Sequence, residues 1–154
     1  MSNVKPIPEN SSVLIPMLVC RDPSAEIAFC KTTFGAAELG SRPGPDGTVV
    51  HALMSIGGAM VIIEGEWPAL ASRSPQPDGS SPVVIFVYVE DVDKVVERAV
   101  AAGAKVLLPV KNQFWGDRTG RIVDPMGHVW TVSTRIEETS TEERKERWTS
   151  IVKG

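Results

Sequence analysis

The chain is poor in the residue types that carry most recognisable chemistry. Its 154 residues include two histidines, two cysteines and one tyrosine, and aromatics make up 6%. Cys20 and Cys30 fit no metal-ligand or redox spacing. They read as small buried apolar groups, and a reducing cytoplasm is the default location. There is no excess of basic charge: the net charge is −3 and the isoelectric point about 5.4. That argues against a nucleic-acid partner, which would need a basic patch. No apolar run approaches the roughly 18–20 residues that span a bilayer, so no membrane partner is expected. Residues 1–12 hold Lys5 but no apolar stretch of the kind a signal peptide carries. No Ser/His/Asp constellation, P-loop or dinucleotide fingerprint is present.

What is present is ordinary globular material, 42% hydrophobic and 23% charged, in a length suited to one domain with a real core. Val13–Cys20 reads as a strand, with Pro16 marking an edge or irregularity. Asp22-Pro23 opens a helix as N-cap and first residue, with Ile27, Cys30 and Phe34 at helical spacing and Gly35 as C-cap. Strands are predicted at 37–42, 48–56 and 59–64, separated by Pro43–Gly47 and Gly57-Gly58. The Pro-, Ser- and Gly-rich stretch 65–82 reads as a linker or long loop. The pattern then restarts: a strand at 83–89, an N-cap at Asp91, and a helical stripe of Val92, Val96, Ala99 and Val100 ending at Gly103. Strands follow near 105–110, 118–123 and 128–135. Ser140-Thr141-Glu142-Glu143 forms a capping box opening a charged helix to about Val152. Its few apolar residues, Trp148, Ile151 and Val152, suit weak docking or contact with a partner chain.

Both halves thus read strand, helix, strand, strand, strand. An offset of 69 positions puts Ile15 on Val84, Asp22 on Asp91 and Gly58 on Gly127, while Gly35 and Gly103 are one residue out of step. Such a repeat decides the fold class: α+β, two βαβββ modules in tandem at 12–64 and 83–135. They form one domain, 1–138, followed by a C-terminal helix at 139–154. Strand alternation assigns the faces. Val50, Ala52, Met54 and Ile56 would face a helix, as would Val61, Ile63, Val83, Ile85, Val87, Val89, Trp130 and Val132. His51, Leu53, Ser55, Met60, Ile62, Glu64, Val84, Phe86, Tyr88, Val129, Thr131 and Ser133 would face the other way, a mixed apolar and polar lining suited to a small-molecule pocket.

Paired βαβββ units are the signature of the vicinal oxygen chelate superfamily, which contains glyoxalase I, extradiol dioxygenases, fosfomycin-resistance enzymes and bleomycin-binding proteins. Asn112–Arg121, Asp124–Trp130, Pro43–Gly47 with His51-Ala52, and Tyr88–Asp93 together resemble its PhnB-like subgroup. The resemblance spans roughly residues 12–138. It implies a homodimer and a ligand cavity, built within one chain or across two. Some relatives carry a methyltransferase label, but no strand–glycine loop–helix for a methyl-donor nucleotide is present. Metal-dependent members take ligands from four strand positions, which map here to Ile15, Ile62, Val84 and Thr131. Three are aliphatic and the fourth is a poor ligand, whereas such ions want imidazole or carboxylate. No metal or other cofactor is therefore expected. The alternative is a divalent ion on a non-standard His51/Glu64 site, serving a lyase or dioxygenase, and those two residues are the catalytic candidates.

The expected ligand-binding residues are His51, Glu64, Phe86, Tyr88, Phe114, Trp115, Arg118 and Thr131. His51 is a base or hydrogen-bonding group, or else a sheet-surface residue steadying the Pro-Gly turn. Glu64 binds ligand or ends its strand in solvent. Phe86 and Tyr88 offer contact area and a polar handle. Phe114, Trp115, Asp117 and Arg118 form a lid over the ligand, or a rigid turn in which Asp117 pairs with Arg118 or Arg121. His128 is expected to make a turn contact. The leading expectation is metal-independent binding or sequestration of an apolar or aromatic small molecule. Whether the chain is an enzyme, or a regulatory domain with a vestigial pocket, stays open.

Overall fold

The computed structural model describes residues 3–76 and 80–154 and divides them into two compact units, Met1–Pro75 and Gln76–Gly154. Part of the 65–82 linker, residues 77–79, lies outside the described residues.

The first unit runs β1 (Met17–Cys20), α1 (Pro23–Phe34), β2 (Ala37–Pro43), β3 (Val49–Ile56) and β4 (Ala59–Gly65). Its sheet order is β1-β4-β3-β2, with β1 parallel to β4 and the other pairs antiparallel. Asp22 caps α1 by accepting a hydrogen bond from Ala25 N at 3.1 Å. Gly35 ends the helix in the left-handed region at φ 64°, where a side chain would be strained. The helix-facing row is buried as alternation requires: Leu18, Cys20, Ala52, Met54, Val61 and Ile63 pack with Ile27, Phe29 and Cys30. Both thiols are buried. The sequence did not mark Glu26 as interior, yet it is fully buried, its Oε1 accepting from Cys30 Sγ at 3.7 Å.

The first strand is shorter than its apolar run. Pairing begins only at Met17, because Pro16 has no N–H to donate; it contributes its carbonyl to Ile62 N instead. Val13 and Leu14 are exposed. The linker stretch contains a 3₁₀ turn at Pro68–Leu70 and a Trp67–Ser72 bridge.

The second unit repeats the plan: β5 (Val84–Tyr88), α2 (Val92–Ala101), β6 (Lys105–Asn112), β7 (Asp117–Val123) and β8 (Val129–Arg135), then α3 (Thr141–Lys153). Its sheet order is β5-β8-β7-β6. The repeat extends to the hydrogen-bond register. Met17 pairs with Ile62 as Phe86 pairs with Thr131, and Val19 with Glu64 as Tyr88 with Ser133. Asp91 caps α2 by accepting from Lys94 N at 3.1 Å. The buried stripe of α2 is Val92, Val95, Val96 and Ala99; Val100 is 47% exposed, so the stripe is rotated from the expected one by the inclusion of Val95. Ser140 and Glu143 complete the capping box of α3. No helix among the described residues is long and apolar enough to cross a membrane.

Candidate functional site

In the second unit the face of the sheet opposite α2 carries a polar centre. Asp117 opens β7 directly opposite Arg135 at the end of β8. Its side chain is 2% exposed, and Oδ2 accepts three hydrogen bonds: from Tyr88 Oη at 2.9 Å, Trp115 Nε1 at 2.8 Å and Ser133 Oγ at 3.0 Å. Charge-assisted bonds of this kind are stronger than neutral ones, which explains how a carboxylate is held in the interior. Hydrogen bonding to Asp117 is the main cause that raises the Tyr88 phenol pKa; burial and the charge of Asp117 add to it, while Arg135 pulls the other way.

Above this carboxylate lies an open pocket of about 510 Å³ lined by Tyr88, Trp115, Asp117, Arg135, Thr139 and Arg144. That volume is of the order, roughly 300–1,000 Å³, that small-molecule sites occupy. Three regions build it. β5 and β8 supply Tyr88 and Arg135. The turn before β7 and the first residue of β7 supply Trp115 and Asp117, and the segment leading into α3, with the first turn of that helix, supplies Thr139 and Arg144. The turn is locked to that last segment. Gly116 has φ 101°, its carbonyl accepts from both Ile136 N and Glu137 N, and a Cβ there would stand 2.7 Å from Glu137 O. Only glycine fits this close approach. Thr139 Oγ1 donates to Trp115 O at 2.9 Å. Arg147 Nη1 donates to Phe114 O at 3.1 Å, and the Arg147 guanidinium pairs with Glu137. The Phe114 ring packs on Trp148 of α3 with centroids 5.4 Å apart.

The expected ligand-binding residues separate on this geometry. Tyr88 and Trp115 line the pocket, and Phe86 stacks edge-on against Tyr88 at 5.1 Å. Phe114 holds Trp115 and α3 together rather than lining the cavity. Arg118 is not brought to the pocket. It follows Asp117 in the strand, so it points to the helix side. There it forms a bidentate pair with Asp93 of α2 and bonds Asn112. Asp117 therefore pairs with neither Arg118 nor Arg121. Arg121 instead donates to Thr131 Oγ1 at 3.1 Å. Arg135, Thr139 and Arg144 were not singled out in the sequence, and Ser133 was marked only as facing this side. Asp124, noted only as the start of the run Asp124–Trp130, is a second buried hub whose Oδ1 accepts from Met126 N and His128 N and whose Oδ2 accepts from Trp130 Nε1. His128 thus makes a backbone turn contact.

His51 and Glu64 belong to the other unit. They stand opposite each other in the β3–β4 ladder, and Arg42 stands opposite His51 on its other side. Directly opposed residues share a face about 5 Å apart at Cβ, so the row reads Arg42–His51–Glu64. A guanidinium beside the pair opposes a divalent cation. Among the described residues, no group of three or more His, Cys, Asp or Glu side chains is placed to hold a metal. The four positions to which the resemblance maps metal ligands offer little donor chemistry. Ile15, Ile62 and Val84 carry no donor atom, and the Thr131 hydroxyl already receives a guanidinium.

The Glyoxalase/Bleomycin resistance protein/Dioxygenase superfamily model matches residues 13–132. A Mycobacterium bovis protein, itself named as uncharacterised, is 39% identical over 133 residues, covering 84% of this chain and 88% of the relative. Among solved structures, TioX from Micromonospora sp. ML1 resembles the chain with a TM-score of 0.63 at 26% identity, over 82% of this chain and 100% of TioX. FosX from Listeria monocytogenes, solved with Mn(II) and sulfate, gives a TM-score of 0.63 at 20% identity, over 90% and 98%. At that identity the likeness to FosX is one of fold. With a family match over most of its length, and two sheets repeated in element order and register, the chain belongs to the Glyoxalase/Bleomycin resistance protein/Dioxygenase superfamily.

Proposed function

We propose that the chain binds an apolar or aromatic small molecule without a metal ion, as a binding or sequestering member of its superfamily. The observation that carries this reading is the pocket of about 510 Å³ in which Tyr88 and Trp115 are both oriented by the buried Asp117. Aromatic walls supply contact area, and fixing them before binding lowers the entropy cost of recognition. The run Asn112–Arg121, which supplies Trp115 and Asp117 to the pocket, is one of the motifs that support a PhnB-like reading of the chain. The family resemblance favours a homodimer, which sedimentation of the purified protein checks, and the two reduced-type cysteines favour a cytoplasmic location.

Two measurements test the binding reading. An aromatic ligand at one hundred times its Kd stabilises the fold by about 2.7 kcal/mol. For a chain of this size that raises Tm by roughly 5–10 °C. A broad panel of aromatic compounds that never shifts Tm would instead mark a vestigial pocket. Metal analysis of protein prepared without chelators is expected to find no stoichiometric ion. The second reading, a lyase or dioxygenase on a His51/Glu64 centre, draws on the direct opposition of those residues in the ladder. Stoichiometric zinc, nickel, manganese or iron that is lost on His51→Ala would establish it in place of the first.

A further inference from the structure

The charges around the pocket point to a narrower class of ligand. The arginines of this unit differ in how they are neutralised. Arg118 is held by Asp93 and Arg147 by Glu137, each through a bidentate pair. Arg144 is held entirely by neutral oxygens: Nη1 donates to Thr139 O at 2.6 Å and Thr139 Oγ1 at 3.1 Å, and Nη2 to Thr141 Oγ1 at 3.2 Å. These bonds fix the guanidinium on the pocket wall without cancelling its charge. Arg135, on the same wall, forms an ion pair with Glu138 at 3.3 Å, a contact between side chains 57% and 91% exposed that contributes little. The one carboxylate in the lining, Asp117, is buried and spends Oδ2 on three donors. The lining therefore carries two cations and one anion in a chain whose net charge is −3. A locally positive pocket in an acidic protein is a fixed electrostatic feature that attracts anions.

We infer that the pocket takes an aromatic ligand bearing an oxyanion of the carboxylate or phosphate class, with Arg135 and Arg144 holding the oxyanion and Trp115 and Tyr88 the ring. This rests on the reading of the pocket as a ligand site and deepens it. Arginine forks match the geometry of planar carboxylates and of phosphate oxygens, and their charge-assisted bonds exceed neutral ones. Arg144 is pre-positioned by its threonine contacts, so little side-chain entropy is lost on binding.

The test uses 2-naphthoate, naphthyl phosphate and the uncharged 2-naphthamide, titrated into the full chain by calorimetry and tryptophan fluorescence. The expected result is binding of at least one anion about ten-fold or more tighter than the amide, a gap that narrows at high salt. The relative affinities of carboxylate and phosphate say which oxyanion the pocket prefers. Arg135→Gln should shrink the gap to a few-fold, and adding Arg144→Gln should abolish it while the amide still binds. Arg144→Lys keeps the charge and should retain part of the preference. Arg135 is exposed and its ion pair with Glu138 is exposed as well, so its variant should melt with the parent and remain interpretable. Equal binding of amide and anions overturns the oxyanion inference and leaves the aromatic pocket standing. A preference that survives the double substitution also overturns it, since the anion then binds elsewhere. If none of the three compounds binds, the inference falls together with the reading beneath it.

Discussion

Replacing Asp117 with alanine probes the pocket and the fold together. The substitution removes the acceptor of three hydrogen bonds at once. The three donors do not suffer equally. Tyr88 is 62% exposed and can turn its hydroxyl to water, whereas Ser133 is fully buried and Trp115 half-buried. A buried donor stripped of its partner costs about 1–3 kcal/mol. Two such donors put the loss at roughly 2–6 kcal/mol, a large share of a typical total of about 5–15 kcal/mol. At about 2–4 °C per kcal/mol, Tm should fall by roughly 4–24 °C. Asp117→Asn keeps the shape and one acceptor and should lose less than half as much. A second readout is independent of stability. Tyr88 is the only tyrosine in the chain, so its ionisation can be followed alone by tyrosinate absorbance. Its pKa is raised above the ordinary 10.0, chiefly by the bond to Asp117. A raised folded-state pKa contributes stability that is fully present below the unfolded value near 10 and is lost as pH climbs through the folded value. In Asp117→Ala the phenol should titrate closer to 10, and the stability gap between parent and variant should narrow above that pH. An unchanged tyrosine titration, or a loss under about 0.5 kcal/mol, the level of an ordinary surface change, would refute the carboxylate hub.

Other substitutions separate the remaining contacts. Gly116→Ala sets a Cβ 2.7 Å from Glu137 O at a positive φ, and should destabilise by about 1–3 kcal/mol, read in a urea titration, while loosening Trp115. Trp130→Phe removes the donor to Asp124 Oδ2 from a fully packed site and should cost about 1–3 kcal/mol; a neutral result would mean Asp124 is satisfied by its turn amides alone. The Glu137 carboxyl is held below its ordinary value of 4.5, mainly by the hydrogen bond from Arg147. Its contribution is therefore present above pH 4.5 and lost as pH falls below that value, so the protection of α3 amides, corrected for the intrinsic exchange rate at each pH, should fall under acid, and this fall should be smaller in Glu137→Gln.

The sequence by itself determined the elements that depend on local chemistry and on period. Asp22 and Asp91 cap their helices because a short acceptor ahead of an apolar stripe satisfies free amide donors wherever it occurs. The two-residue alternation sent Ala52, Met54, Val61, Ile63, Trp130 and Val132 to one face, and the 69-residue offset reappears as matched strand register because duplicated patterns fold alike. The same alternation, applied to 117 and 118, would have separated Asp117 from Arg118. Reading residues 114–118 as one loop, whether a lid or a rigid turn, hid that, since the strand begins at Asp117 and places Arg118 against Asp93. Only the tertiary structure decided the candidate site. Arg135 pairs across the ladder with Asp117, and Thr139 and Arg144 reach the pocket because the chain after β8 docks on the Gly116 turn. No propensity or spacing encodes that approach. It arises from carbonyls and amides meeting across some twenty residues of sequence, where glycine alone leaves room for them.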